Sequence, residues 1–111
     1  MKDLITVYIT NYNYGSFLKK SIESVFNQSY KNFNLIIIDD ASTDNSIEIL
    51  NKFKSIKGVT LIFNKKRIGH VKSSNKAIKL AKGKYILRLD ADDYLKKNAL
   101  YKMVKLIKKN S

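Results

Sequence analysis

Four short runs of aliphatic and β-branched residues, each followed by a helix-like segment, constrain this chain more than any other feature. Residues 4–10 (LITVYIT), 35–38 (LIII), 59–63 (VTLIF) and 85–89 (YILRL) have the length and composition of strands. Between them, Phe17, Leu18, Ile22, Val25 and Phe26 fall on one helical face, and Ile47, Leu50 and Phe53 continue a second helix. A third helix is predicted over about residues 71–81, and Leu100, Met103, Val104 and Ile107 form an i, i+3, i+4, i+7 stripe on a fourth. Ser16 is expected to cap the first helix and Gly83 to end the third. The order β-α-β-α-β-α-β-α requires crossover connections and hence parallel neighbours. The predicted fold class is α/β, a mainly parallel sheet of about four strands with helices on both faces.

A chain of 111 residues makes one domain, here residues 1–111, large enough to hold a core. No apolar run approaches the roughly 18 residues of a membrane span. The start enters the first strand without a signal-type apolar region, so the expected location is cytoplasmic. With no Cys, any metal must use oxygen ligands or His70, the single histidine. The formal charge of +13 invites a nucleic-acid-binding reading. All but two of the 22 basic residues are lysines, however, and they are scattered over the helices as on solvated faces. No aromatic-basic RNA motif or helix-turn-helix pattern supports that alternative, and nucleic acid is not an expected partner.

The acidic residues are distributed differently. Six of the nine lie in two segments, Asp39, Asp40 and Asp44, then Asp90, Asp92 and Asp93. Both segments follow strands, as does the loop from Thr10 to Tyr14, and ligands of open parallel sheets bind beyond the carboxyl ends of the strands. Hard oxygen ligands at this density suit Mg²⁺ or Mn²⁺ holding a substrate phosphate. The plainer alternatives are that Asp92 or Asp93 caps the last helix and that Asp39 and Asp40 sit at a turn before a helix N-terminus. Tyr12 reads either as a half-buried loop aromatic or as a ring on which a base stacks. A receiver-like signalling module also has this size and an acidic pocket. Receivers place an acidic pair after the first strand and a Lys after the fifth, whereas here the first strand ends in Thr10-Asn11 and no fifth is predicted.

Four motifs, in order and in spacing, resemble the amino-terminal half of family 2 glycosyltransferases of the GT-A type: ITNYN at 9–13, SIESVFNQSY at 21–30, IIDDASTD at 37–44 and GKYILRLDADD at 83–93. The likeness spans about residues 4–107 and implies the Rossmann-like half of a GT-A fold. By this resemblance Thr10, Tyr12 and Asn13 meet the nucleotide, with Tyr12 packing on the base. Asp40 accepts from the base, commonly uracil, with Asp39 a second candidate. Asp90, Ala91 and Asp92 look like the DxD motif, in which Asp92 and Asp93 approach the ribose and a metal-bound diphosphate. Lys65, Lys66, Arg67 and His70 occupy a variable loop that often supplies a basic contact, and Arg67 is the one nominated for the nucleotide.

The resemblance further implies inverting transfer of a sugar from a nucleotide sugar, commonly a UDP-sugar, to a hydroxyl of a glycan or lipid-linked glycan. The cofactor implied is Mn²⁺ or Mg²⁺, and the location extends to the inner face of the membrane. Thr10 stands where the family usually has Pro, and Ser74 where an Arg often precedes the Asn aligned with Asn75. Family members continue well beyond this length, into a half that supplies acceptor recognition and the catalytic base. No residue here is a good candidate for that base. The chain therefore reads as a donor-binding half, truncated at its C-terminal end and inactive alone, with an uncovered apolar edge that favours self-association.

Overall fold

The computed structural model describes residues 3–110. Strands β1 (Ile5–Asn11), β2 (Phe33–Asp39), β3 (Val59–Phe63) and β4 (Tyr85–Arg88) alternate with helices α1 (Gly15–Phe26), α2 (Ser46–Asn51), α3 (His70–Leu80) and α4 (Ala99–Lys109). All strand pairs are parallel, in the order β3-β2-β1-β4. The register sets Asn11 beside Asp39 and Asp39 beside Phe63, so the strands end together at one edge of the sheet. From β1 the chain moves outward to β2 and β3 on one side and later returns to place β4 on the other. That reversal opens a crevice between the carboxyl ends of β1 and β4, the place where such sheets bind ligands.

The two central strands explain the uninterrupted apolar runs, because both of their faces are covered. Ile5, Val7, Ile9, Leu35 and Ile37 pack with Leu18, Ile22 and Val25 of α1, Leu50 of α2, and Leu100 and Val104 of α4. Tyr8, Ile36 and Ile38 face the other way and pack with Ala77 of α3. Helices thus lie on both faces, as predicted, but three contribute to one core and a single helix to the other. The lysines of α1, α3 and α4 are exposed, as expected of solvated helix faces.

Several local expectations are corrected. Ser16 does not cap α1: Tyr14 holds the N-cap position without a side-chain bond, and Asp44 Oδ2 instead accepts from the Gly15 amide at 2.8 Å. The carboxylate reaches the positive helix end from another loop, which local sequence cannot reveal. Gly83 does not end α3, which stops at Leu80 before an extended Ala81. Gly83 lies against β1 instead, donating to Thr6 Oγ1 at 2.9 Å, and an added Cβ would meet the Thr6 nitrogen at 2.5 Å. Neither Asp92 nor Asp93 caps α4, whose N-cap is Asn98. Phe53 lies beyond the short α2 yet still packs on the core.

Among the described residues no helix is long and apolar enough to cross a membrane. Readings that involve residues 1, 2 and 111 lie outside the described residues.

Candidate functional site

A cavity of about 430 Å³ opens at the carboxyl edge of the sheet, a volume suited to a small organic ligand. Thr10, Asn11, Tyr12 and Tyr14 enter it from the end of β1, Asp40 from the end of β2, and Arg67, His70 and Ser73 from the loop and helix after β3. Asp90, Ala91 and Asp92 close it from the end of β4. The receiver-like alternative fails on this geometry, since β1 delivers a Thr and an Asn and no carboxylate pair.

Asp40 organises one wall. Its carboxylate is 4% exposed and accepts from Asn64 Nδ2 at 3.0 Å, the Ile68 amide at 2.8 Å and the Gly69 amide at 2.9 Å. Burial pushes the Asp40 carboxyl up, but these three bonds and the Arg67 charge outweigh it and hold the group below its ordinary range. The positive φ of 93° at Gly69 turns the chain from this loop into α3. Arg67 Nε lies 3.9 Å from Asp40 Oδ2, and its guanidinium sits 3.7 Å from the centre of the Tyr12 ring. Tyr12, Asp40 and Arg67 are therefore brought together.

Two other nominated residues do not line the cavity. Asp39 is fully buried, and its carboxylate accepts from Asn11 Nδ2 at 2.9 Å, the Ser42 hydroxyl at 2.7 Å and the Ser42 amide at 3.0 Å. A charge so buried must be satisfied internally, and here it fastens the loop after β2 to the end of β1. Asn13 adopts a left-handed φ of 58°, and its Oδ1 accepts from the Thr43 and Asp44 amides at 2.7 and 3.2 Å. These residues build the wall from behind. Ala41 within the same loop also has positive φ, at 59°, a conformation costing a residue with a Cβ about 1–2 kcal/mol.

The segment that follows the acidic loop is held from below by α1 and the residues just beyond its end. Ser24 Oγ accepts from the Leu95 amide at 3.0 Å, and the buried Gln28 donates to the Lys96 carbonyl at 2.7 Å while accepting from the Leu100 amide at 3.0 Å. These bonds give the SIESVFNQSY segment a role that its sequence did not disclose. Leu89 and Ala91 are buried, and beyond β4 a turn in which the Asp93 amide donates to the Asp90 carbonyl at 2.9 Å places Asp90, Ala91 and Asp92 along the cavity. Asp93 lies outside the lining, and its Oδ1 accepts from the Tyr94 amide at 2.8 Å.

Among the described residues, no three His, Cys, Asp or Glu side chains gather as a metal cage. Asp90 pairs with Arg88 Nε at 3.5 Å. The exposed Asp92 carboxylate forms no hydrogen bond or ion pair among the described residues. A free hard-oxygen donor beside a paired one fits Mg²⁺ or Mn²⁺ only where a bound phosphate completes the coordination.

Two contributors, Asn64 and Arg88, were not singled out in the sequence, and His70, named there among the variable-loop residues, joins them. Asn64, buried, bridges Asp40, Ser73 and Lys76. His70 Nδ1 lies 2.8 Å from Thr10 Oγ1, and its Nε2 lies 3.2 Å from Arg88 Nη1. Arg88 carried one overlooked signal, an arginine interrupting an apolar run directly before the acidic loop. Lys65 and Lys66 are exposed and do not line the cavity.

Comparison with known proteins gives the same direction. The sequence profile of the family described as glycosyl transferase family 2 matches residues 6–111. A glycosyltransferase of Haemophilus influenzae is 35% identical over 108 residues, which cover 96% of this chain and 33% of that one. The structure of S. aureus TarS 1-349 in complex with UDP-GlcNAc superposes with a TM-score of 0.86 at 26% identity, covering 95% of this chain and 31% of that one. Mannosyltransferase PcManGT from Pyrobaculum calidifontis, in complex with GDP-Man and Mn²⁺, shares the fold, with a TM-score of 0.77 at 22% identity over 85% of this chain and 29% of that one. The chain thus spans about a third of the length of each of these three proteins.

Proposed function

The chain belongs to glycosyltransferase family 2, and we propose that it is the donor-binding part of an inverting enzyme that transfers a sugar from a UDP-sugar to an acceptor hydroxyl. One observation carries this reading. At the switch point of the sheet, a single cavity has an aromatic ring and a buried carboxylate on one wall and two exposed carboxylates on the other.

In this reading the base stacks on Tyr12 and its ring N–H donates to Asp40, which favours uracil over cytosine and adenine, bases without such a donor. Stacking there competes with the Arg67 guanidinium, which is then free to meet the ribose or a phosphate. Thr10 contributes a hydroxyl at the floor, and Asp90 and Asp92 face the ribose and diphosphate. Asn13 and Asp39 act through the loops they hold. A Mn²⁺ or Mg²⁺ ion held by Asp92, with Asp93 beside it, would neutralise the leaving diphosphate, a Lewis-acid contribution of several kcal/mol in general. Binding of a nucleotide sugar is supported by the UDP-GlcNAc complex of the TarS neighbour, and a metal by the Mn²⁺ complex of PcManGT. We assign no residue of this chain as the general base. In this reading the acceptor is a glycan or lipid-linked glycan, and its site and the general base lie outside these 111 residues.

Calorimetry with UDP tests the proposal. Binding should strengthen markedly when Mn²⁺ is present, and the enhancement should vanish in the double variant Asp92→Ala, Asp93→Ala. Metal-dependent binding that survives the double variant unchanged would remove the assignment.

A further inference from the structure

We infer that His70 is a positioning residue, held as the neutral tautomer protonated on Nδ1, which turns the Thr10 hydroxyl hydrogen into the cavity while anchoring Arg88 beside Asp90. This inference rests on the nucleotide reading of the cavity only for the identity of the ligand.

The tautomer follows from what each partner can offer. A guanidinium has five N–H donors and no acceptor. His70 Nε2, 3.2 Å from Arg88 Nη1, must therefore present its lone pair. A neutral imidazole carries one N–H, and its position is set by the bond that the other nitrogen makes, so the hydrogen is on Nδ1. That nitrogen lies 2.8 Å from Thr10 Oγ1, which accepts the bond. The hydroxyl's own hydrogen has no acceptor among the described residues, and Thr10 lines the cavity. With the opposite tautomer, two N–H groups would face each other at Arg88, and the Thr10 hydrogen would be spent on His70.

The consequence is chemical. The cavity floor presents a donor, suited to an acceptor oxygen of a nucleoside diphosphate: a ring carbonyl, a ribose oxygen or a phosphate oxygen. The same ring links the ends of β1 and β4 across the crevice, because Arg88 also lies 3.5 Å from Asp90. Asp90 is thereby held at the rim, and Asp92 is the carboxylate left uncommitted.

As His70 is the only histidine, a long-range ¹H–¹⁵N correlation spectrum of the labelled chain at mildly alkaline pH reads its tautomer directly. The expected spectrum shows Nδ1 protonated and Nε2 bare, with that preference lost in Arg88→Met. Calorimetry with UDP supplies the second arm. Thr10→Val and His70→Ala should each weaken binding about three- to tenfold, the range of one neutral hydrogen bond. His70→Asn, whose amide can donate from near the Nδ1 position, should recover more affinity than His70→Gln. A protonated Nε2 in the parent chain would overturn the tautomer, with or without nucleotide. Unchanged affinity in Thr10→Val would overturn the donor role. Absence of UDP binding by a parent chain that shows the Nδ1–H signal would instead overturn the nucleotide reading, and the donor role with it.

Discussion

Asp40 serves the fold and the site with the same two oxygens. Replacing it with Asn takes the negative charge from a carboxylate that receives the Ile68 and Gly69 amides and sets an amide hydrogen against one of its donors. Each hydrogen bond to a charged group is worth about 1.5–3 kcal/mol, so Asp40→Asn should lower the melting temperature and weaken UDP binding by at least tenfold. Asp39→Asn should destabilise the chain while changing UDP affinity little at temperatures where it remains folded; the reverse pattern would exchange the two roles. Tyr12→Ala should weaken UDP binding by roughly five- to a hundredfold, the effect of losing one base–aromatic stack. Acid should act through the same carboxylates. Asp40 and Asp44 titrate below the ordinary value of 3.8 when folded, so their stabilisation is complete above that value and is lost as pH falls through the lower folded values. Circular dichroism should show an acid transition that is shallower in Asp40→Asn. The sequence could nominate both Asp39 and Asp40 but could not rank them. They are adjacent on an extended chain and point to opposite sides, and which side is the cavity depends on strands far away in sequence.

The elements were legible wherever periodicity alone decides them. β3 was predicted at its observed bounds, and Leu18, Ile22, Val25, Leu100 and Val104 of the α1 and α4 stripes enter the core, whereas Phe17 is 52% exposed. Helix ends were less legible because their partners come from elsewhere: Asp44 binds the start of α1, and Gly83 answers to Thr6 rather than to α3. The contact between the end of α1 and the segment after the acidic loop was equally hidden, since Gln28 reads as an ordinary polar residue at a helix end. Its burial makes it a sensitive point. Gln28→Ala would leave the Leu100 amide without its partner, at about 1–3 kcal/mol, and the Lys96 carbonyl with the Ala99 amide alone. Chemical denaturation should show that loss. Because that segment follows directly on the loop that carries Asp90 and Asp92, the same variant should weaken the Mn²⁺-dependent part of UDP binding more than the metal-independent part; equal weakening of both would mean that Gln28 does not position the acidic loop.

For the whole molecule, the repeating strand and helix pattern disclosed a parallel α/β sheet but not its order. The position of β4 next to β1 is fixed by packing of distant residues, and it is this placement that unites the two acidic segments around one cavity. The edge of β4 pairs with no further strand among the described residues, and Ile86 upon it is 44% exposed. An open edge with apolar side chains tends to pair, so sedimentation should reveal concentration-dependent self-association that Ile86→Lys reduces. Turnover should be absent when UDP-sugars, Mn²⁺ and a panel of acceptors are supplied to the 111-residue chain, since a positioned base contributes about 10²- to 10⁴-fold and none is assigned here. Robust transfer would locate a base within it. The central claim, that a nucleotide occupies the crevice between β1 and β4, is tested most directly by titrating UDP with Mg²⁺ into the ¹⁵N-labelled chain and following every backbone amide. The account predicts saturable shifts concentrated at Tyr12, Ile68, Gly69, Ala91 and Asp92. Saturable shifts centred on α4 or the outer face of α1, with those five amides unmoved, would contradict it.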